Sequence, residues 1–70
     1  MKTVTFYVMH VVNGDECLIA HCTTLAAAAL RALREHGRDP RADLSVWTSE
    51  GAMILPSINA VQDFVGRVSA

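Results

Sequence analysis

The Asn13-Gly14 dipeptide is the feature that most limits how this chain can fold. Asn-Gly is the preferred sequence of a two-residue hairpin turn, because both positions of that turn need a positive φ. The runs on either side, residues 3–12 and 16–22, are rich in β-branched and aromatic residues and are predicted to form two antiparallel strands. The cross-strand pairs that follow from this turn are His10 with Cys17, Val8 with Ile19, and Phe6 with His21.

An alanine-rich helix is predicted after this hairpin. Residues 25–36 are dense in Ala and Leu, and Thr23 or Thr24 can cap the N-terminus. We expect Gly37 to end the helix, since Pro40 follows closely. The exposed side of this helix is expected to carry Arg31, Arg34, Glu35 and Arg38, and its buried side Ala26, Ala29, Leu30 and Leu33.

A second hairpin and a short helix complete the pattern. Residues 44–48 and 52–55 are predicted strands, joined by a three-residue loop with Gly51 in the left-handed conformation. Asn59 is expected to cap the last helix, with Gln62 as its capping-box partner. The apolar stripe of that helix is Val61, Phe64, Val65 and Val68. We therefore expect residues 1–70 to form a single α+β domain of order ββαββα, a four-stranded, mainly antiparallel sheet with two helices packed on one face.

The composition indicates how much apolar surface such a domain has to bury. The chain has 70 residues, of which 51% are hydrophobic and 19% charged. A domain of this size buries roughly 60% of its unfolded surface, so some apolar side chains are expected to face a second chain, and we expect a homodimer. Six Lys and Arg against seven Asp and Glu give no general attraction for phosphate, which argues against a nucleic-acid partner.

Targeting signals and cysteines indicate a cytoplasmic protein. Lys2 is followed by an alternating pattern that does not resemble a signal peptide. The apolar run from Leu25 to Leu30 is far shorter than the ~20 residues of a membrane span, so no membrane association is expected. Cys17 and Cys22 lie five residues apart in one predicted strand. That spacing places them on opposite faces and ~16 Å apart, beyond the reach of a disulfide.

No group of residues indicates catalysis or metal binding. His10 and Cys17 are predicted neighbours, but a hairpin surface offers neither the cleft nor the oxyanion site that a thiolate nucleophile needs. His21 lies roughly 13 Å further along the strand, and Cys22 is expected on the other face, so these four side chains do not form a zinc site. We predict no enzymatic activity, no metal and no cofactor.

The second face of the sheet is the predicted binding surface. Neither face of the sheet is cleanly polar, so both are candidates for the core. Val4, Phe6 and Val8 form the better core set, although two histidines share their face. This choice leaves the other face of the first hairpin to Thr5, Tyr7, Met9, Val11, Leu18, Ala20 and Cys22. In the second hairpin, Leu44, Val46 and Ile54 share one side, and Ser45, Trp47, Met53 and Leu55 share the other. Aromatic and methionine side chains are typical of protein interfaces. The predicted contact residues are Tyr7, Met9, Trp47 and Met53, with Arg31, Arg34 and Arg38 as a secondary charged surface.

The layout of the chain resembles small phage- and prophage-encoded proteins of the anti-CRISPR type. The resemblance spans the whole chain in size and element order, through segments such as Thr23-Thr24-Leu25-Ala26-Ala27-Ala28-Ala29 and Ser49-Glu50-Gly51-Ala52. It implies an inhibitor that binds a host protein complex in the host cytoplasm and blocks target binding or nuclease recruitment. Evenly spread acidic residues do not imitate a phosphate ladder, so such an inhibitor would occlude a protein surface. The alternatives are a small sheet-based nucleic-acid-binding regulator and an antitoxin-like subunit of an obligate complex.

Overall fold

The computed structural model describes residues 4–69, with side chains up to Val68, and over this range it confirms the predicted α+β order β-β-α-β-β-α. Thr3, where the first strand was predicted to begin, lies outside the described residues. The elements are β1 Phe6–Val12, β2 Asp15–Cys22, α1 Leu25–Arg38, β3 Asp43–Thr48, β4 Met53–Leu55 and α2 Ile58–Ser69.

The four strands form one sheet in the order β2-β1-β3-β4, and neighbouring strands are antiparallel. Asn13 and Gly14 have φ values of 53° and 84°, which confirms the predicted two-residue turn. Gly51 has a φ of 90°, as predicted for the loop between β3 and β4. Strands β1 and β3 occupy the centre of the sheet, so β2 and β4 are its edges.

A β-bulge in the first hairpin changes the predicted register. His10 lies opposite Cys17 as expected, and Met9 lies opposite Leu18. Beyond that point Val8 lies opposite Ala20, so Ile19 is an extra residue in β2. The predicted pairs of Val8 with Ile19 and of Phe6 with His21 are therefore wrong: the observed pairs are Tyr7 with His21 and Phe6 with Cys22.

The same bulge corrects which side chains of β2 reach the core. Ala20 and Cys22, predicted for the second face, pack against the core instead. Because the bulge absorbs one residue, Cys17 and Cys22 lie in register with His10 and Phe6 and so share a face, contrary to the prediction. Both cysteines are free thiols.

A second irregularity separates Val46 from Trp47 in the β3–β4 pairing. Val46 lies opposite Leu55, whereas Trp47 lies opposite Met53, so Ile54 is the unmatched residue. Leu55 is buried in the core and Ile54 is exposed, which reverses the predicted positions of these two side chains. Neither bulge contains a glycine, the residue that would have marked it in the sequence.

The two helices pack on one face of the sheet. Together with that face they enclose a core of aliphatic side chains: Val8, Ala28, Ala29, Ala32, Leu44, Val46, Leu55 and Val61. The buried stripe of α1 therefore differs from the predicted one, since Ala26 and Leu30 are exposed. Alanines at the contact bring α1 close to the sheet, while Leu30 lies beside α2 in a shallow groove.

Local hydrogen bonds set the ends of the helices. Thr24 caps α1, with its Oγ1 accepting from Ala27 N at 3.1 Å. Gly37 was predicted to end α1, but its φ is not positive and the helix continues to Arg38. The cap of α2 is Ser57, whose Oγ accepts from Ala60 N at 3.3 Å, and not Asn59 as predicted. No helix within residues 4–69 has the length and apolar character needed to cross a membrane.

Candidate functional site

The sheet face opposite the helices is the open face, which we define by seven residues. One row crosses all four strands, because Tyr7 lies opposite both His21 and Trp47, and Trp47 lies opposite Met53. In a second row Met9 lies opposite both Leu18 and Ser45. The open face therefore consists of His21, Tyr7, Trp47, Met53, Leu18, Met9 and Ser45. Both helices pack against the other side of the sheet.

Trp47 is held in place along β3 by its own neighbour two residues earlier. The indole Nε1 of Trp47 donates to Oγ of Ser45 at 3.0 Å. Residues i and i+2 of a strand lie on the same face, so this bond keeps the indole over Ser45, which is only 3% exposed. The bond satisfies the one polar atom of the indole within the chain, and the rest of the ring offers apolar surface.

The four predicted contact residues of the sheet lie together on this face. Tyr7, Met9 and Trp47 are half-buried. Met53 is 50% exposed and Leu18, at the edge strand, is 55% exposed. A half-buried aromatic centre with more exposed apolar side chains around it is suited to contact with another molecule.

Three residues of the open face were not among the contact residues predicted from the sequence: His21, Leu18 and Ser45, of which Leu18 and Ser45 were predicted only to lie on this face. His21 reaches this face because of the bulge in β2, and no residue type in the sequence indicates that bulge. Ser45 was predicted for the face but not as a support for Trp47. The Ser-x-Trp spacing within one predicted strand was the available signal, because it places a hydroxyl next to an indole N–H.

The arginines predicted as a secondary surface lie on α1, in the other layer of the molecule. Nε of Arg31 lies 3.1 Å from Oε1 of Glu35, and Arg38 lies 3.8 Å from the same oxygen. Arg34 is exposed. The structure therefore does not bring Arg31, Arg34 and Arg38 together with the aromatic residues of the open face.

The histidines and cysteines are dispersed. His10 lies in register with Cys17, yet its Nε2 lies 3.8 Å from Oδ2 of Asp39. His36 lies in α1, where its Nδ1 lies 3.4 Å from the carbonyl oxygen of Ala42. In the part of the chain that the structure describes, no three His, Cys, Asp or Glu side chains converge as metal ligands would.

Comparison with known proteins gives no match from which a family or a function could be taken. No protein-family model matches the sequence. No curated protein and no solved structure matches it either. The candidate site is the sheet face that the helices leave uncovered, with Tyr7 and Trp47 at its centre.

Proposed function

We propose that this chain is a non-enzymatic protein-interaction module that binds a protein partner through the open face. The observation that carries the proposal is the bond from Trp47 Nε1 to Ser45 Oγ. A partner that covers the indole leaves no unpaired donor behind, so the usual penalty for burying a polar group is avoided. Trp47 is thus a pre-organised anchor, because its ring need not be ordered when the partner binds.

Tyr7 supports the same role from the neighbouring strand. It lies directly opposite Trp47 in the β1–β3 pairing, so the two aromatic side chains are adjacent on the open face. Tryptophan and tyrosine dominate the binding energy of protein interfaces, mostly near the centre of the contact. The polar and charged residues of the hairpins, such as Glu16, His21 and Ser49, would then form its rim.

The charge distribution favours a protein over a nucleic acid. Adjacent aromatic residues on a sheet can also stack bases, but such domains hold the backbone with a positively charged track. The four strands contain no Lys or Arg. The arginines of α1 lie in the other layer, so they do not flank Tyr7 and Trp47.

The resemblance to phage-encoded inhibitors supplies the first partner to test. We propose that the chain occludes a surface of a host CRISPR effector complex in the host cytoplasm. A small domain that presents one pre-organised face is suited to occlusion, and its two free thiols fit a reducing compartment.

The test compares one anchor with one control in binding to purified CRISPR effector complexes. Trp47→Ala is expected to weaken binding by about 30-fold, equivalent to about 2 kcal/mol. Arg34→Ala, an exposed change in the other layer, should stay within about twofold. Circular dichroism establishes that both variants are folded.

Two outcomes would contradict these proposals. Tight binding that Trp47→Ala leaves unchanged would exclude the open face. Binding of single-stranded oligonucleotides that depends on Trp47 and falls steeply with salt would replace the protein partner with a nucleic acid. Failure of the effector complexes to bind would remove the inhibitor proposal.

A further inference from the structure

The two edges of the sheet differ in how well they are protected. Strand β4 has three residues and is followed at once by Pro56, which has no N–H to offer another strand. Strand β2 has eight residues and contains no proline or lysine. Its first four residues, from Asp15 to Leu18, are all exposed. A long exposed edge of this kind can pair with another strand.

The register of β1 shows which backbone groups of β2 are free. A strand directs the N–H and C=O of successive residues to alternate sides. Since Val12 and Asp15 flank a two-residue turn, they bond to each other, and the even-numbered residues of β1 bond to β2. The odd-numbered residues Val11, Met9 and Tyr7 therefore bond to β3. Their partners in β2, which are Glu16, Leu18 and His21, direct their backbone groups away from the sheet.

We propose that β2 pairs with β2 of a second copy of this chain, antiparallel about a two-fold axis between Leu18 and Ile19. This register places Glu16 opposite the partner's His21, and His21 opposite the partner's Glu16. Both residues have outward backbone groups, so each pair can exchange two hydrogen bonds. The bulge at Ile19 lies on the axis, so the strand segments that pair on either side of it are regular.

The side chains agree with this register. Glu16 and His21 both belong to positions that alternate onto the open-face side of the sheet, so a carboxylate meets an imidazole twice in the dimer. A one-residue shift in the register of the two β2 strands would place side chains from different faces of the sheet opposite each other. Near the axis each exposed Leu18 approaches its symmetry mate, which removes an apolar side chain from water.

The dimer would extend the proposed function without depending on it. Two sheets joined at β2 form one eight-stranded sheet, and the two open faces become continuous. Trp47 lies on β3, two strands from the joined edge. Leu18 and His21 belong to both surfaces, so the two proposals are separated by what is measured: self-association of the pure chain tests the dimer, and Trp47→Ala, which leaves the β2 edge unchanged, tests the open face.

Sedimentation equilibrium of the full chain tests the dimer. The wild-type chain should give twice the monomer mass, and Leu18→Glu should raise the dissociation constant at least tenfold, because it places two carboxylates near the axis. Glu16→Lys should raise it severalfold, and exchanging the pair with Glu16→His and His21→Glu should restore it. Glu50→Lys makes the same charge change at an exposed turn and should have no effect.

A cross-link tests the register. The proposed pairing places Cys17 opposite the partner's Ala20 at a position without hydrogen bonds, where cross-strand side chains are closest. Ala20→Cys should therefore give a dimer on a non-reducing gel after mild oxidation, and adding Cys17→Ser should abolish it. A wild-type chain that stays monomeric at its highest soluble concentration would overturn the inference. A dimer that Leu18→Glu leaves intact, or that Ala20→Cys fails to cross-link, would overturn it as well.

Discussion

The two faces of the sheet are built by neighbouring residues of the same strands and yet have opposite properties. In β3, Val46 is fully buried under the helices, while Trp47, the next residue, lies on the open face. The fully buried side chains of the covered face are aliphatic, and the open face carries aromatic, methionine, leucine and polar side chains. The covered face stabilises the fold by burying apolar side chains, whereas the open face contributes less to the core and is the surface that we propose for binding a partner.

The largest expected effect comes from comparing two valines of β1. Val8 is fully buried on the covered face, and Val11 is half-buried and lies on the other side of the strand. Val8→Ala should lower the free energy of unfolding by about 2–3 kcal/mol, because it removes buried apolar groups and leaves a cavity. Val11→Ala, the same change in the same strand, should cost about 1 kcal/mol or less. Urea denaturation followed by circular dichroism measures both, and equal losses would contradict the division between the faces.

A smaller effect is expected at the joint that holds the covering layer to the sheet. Oδ1 of Asp43, at the start of β3, accepts from Ile58 N at 2.8 Å and from Leu44 N at 2.9 Å. A carboxylate at the first turn of α2 also interacts favourably with the helix dipole. Asp43→Ala should therefore lower the stability by about 1–2 kcal/mol.

The control for Asp43 is an acidic residue of α2 itself. Asp63 forms an exposed ion pair with Arg67 at 2.6 Å, one helical turn away. Asp63→Ala should cost about 0.5 kcal/mol or less, since exposed pairs of this kind contribute little. Thermal unfolding measures the loss of stability in Asp43→Ala and in Asp63→Ala under the same conditions. An equal loss in both would show that Asp43 acts only as one more surface charge.

Of the three test variants, which are Val8→Ala, Asp43→Ala and Ser45→Ala, the one on the open face is expected to lower the stability least. Ser45→Ala removes the acceptor of Trp47 Nε1, and should cost about 1 kcal/mol or less because the half-buried indole can still reach water. The freed ring should change its fluorescence, which is easily followed because Trp47 is the only tryptophan. Oγ of Ser49 accepts from Thr5 N at 3.3 Å, away from the indole, so Ser49→Ala should leave the emission unchanged. An unchanged emission in Ser45→Ala would remove the argument for a pre-organised anchor.

Turn chemistry was predictable from the sequence, and the irregular positions were not. Asn13-Gly14 and Gly51 announce their turns because those residue types adopt a positive φ without strain. The extra residues of the two bulges are isoleucines, Ile19 and Ile54, which are ordinary strand residues. Each bulge moved the side chains beyond it to the opposite face from the one predicted.

The candidate site was predictable only where the strands contain no bulge. Tyr7, Met9 and Trp47 lie in regularly paired segments of β1 and β3, where alternation alone assigns the face. His21 lies beyond a bulge, so alternation counted from the turn placed it on the wrong face. The predicted helix end at Gly37 was wrong for another reason. A helix can continue through a glycine, and α1 ends where Asp39 N–H donates to Glu35 O.

The buried alanines of α1 determine which substitutions this helix can tolerate. In the run from Ala26 to Ala29, the first two side chains are exposed and the last two are fully buried against the sheet. Lys, Glu or Gln can replace either exposed alanine, since these residues also favour a helix. Anything larger than alanine at Ala28, Ala29 or Ala32 pushes the helix away from the sheet. A stretch that looks repetitive by composition thus holds two interchangeable positions and two whose size is fixed by the thickness of the core.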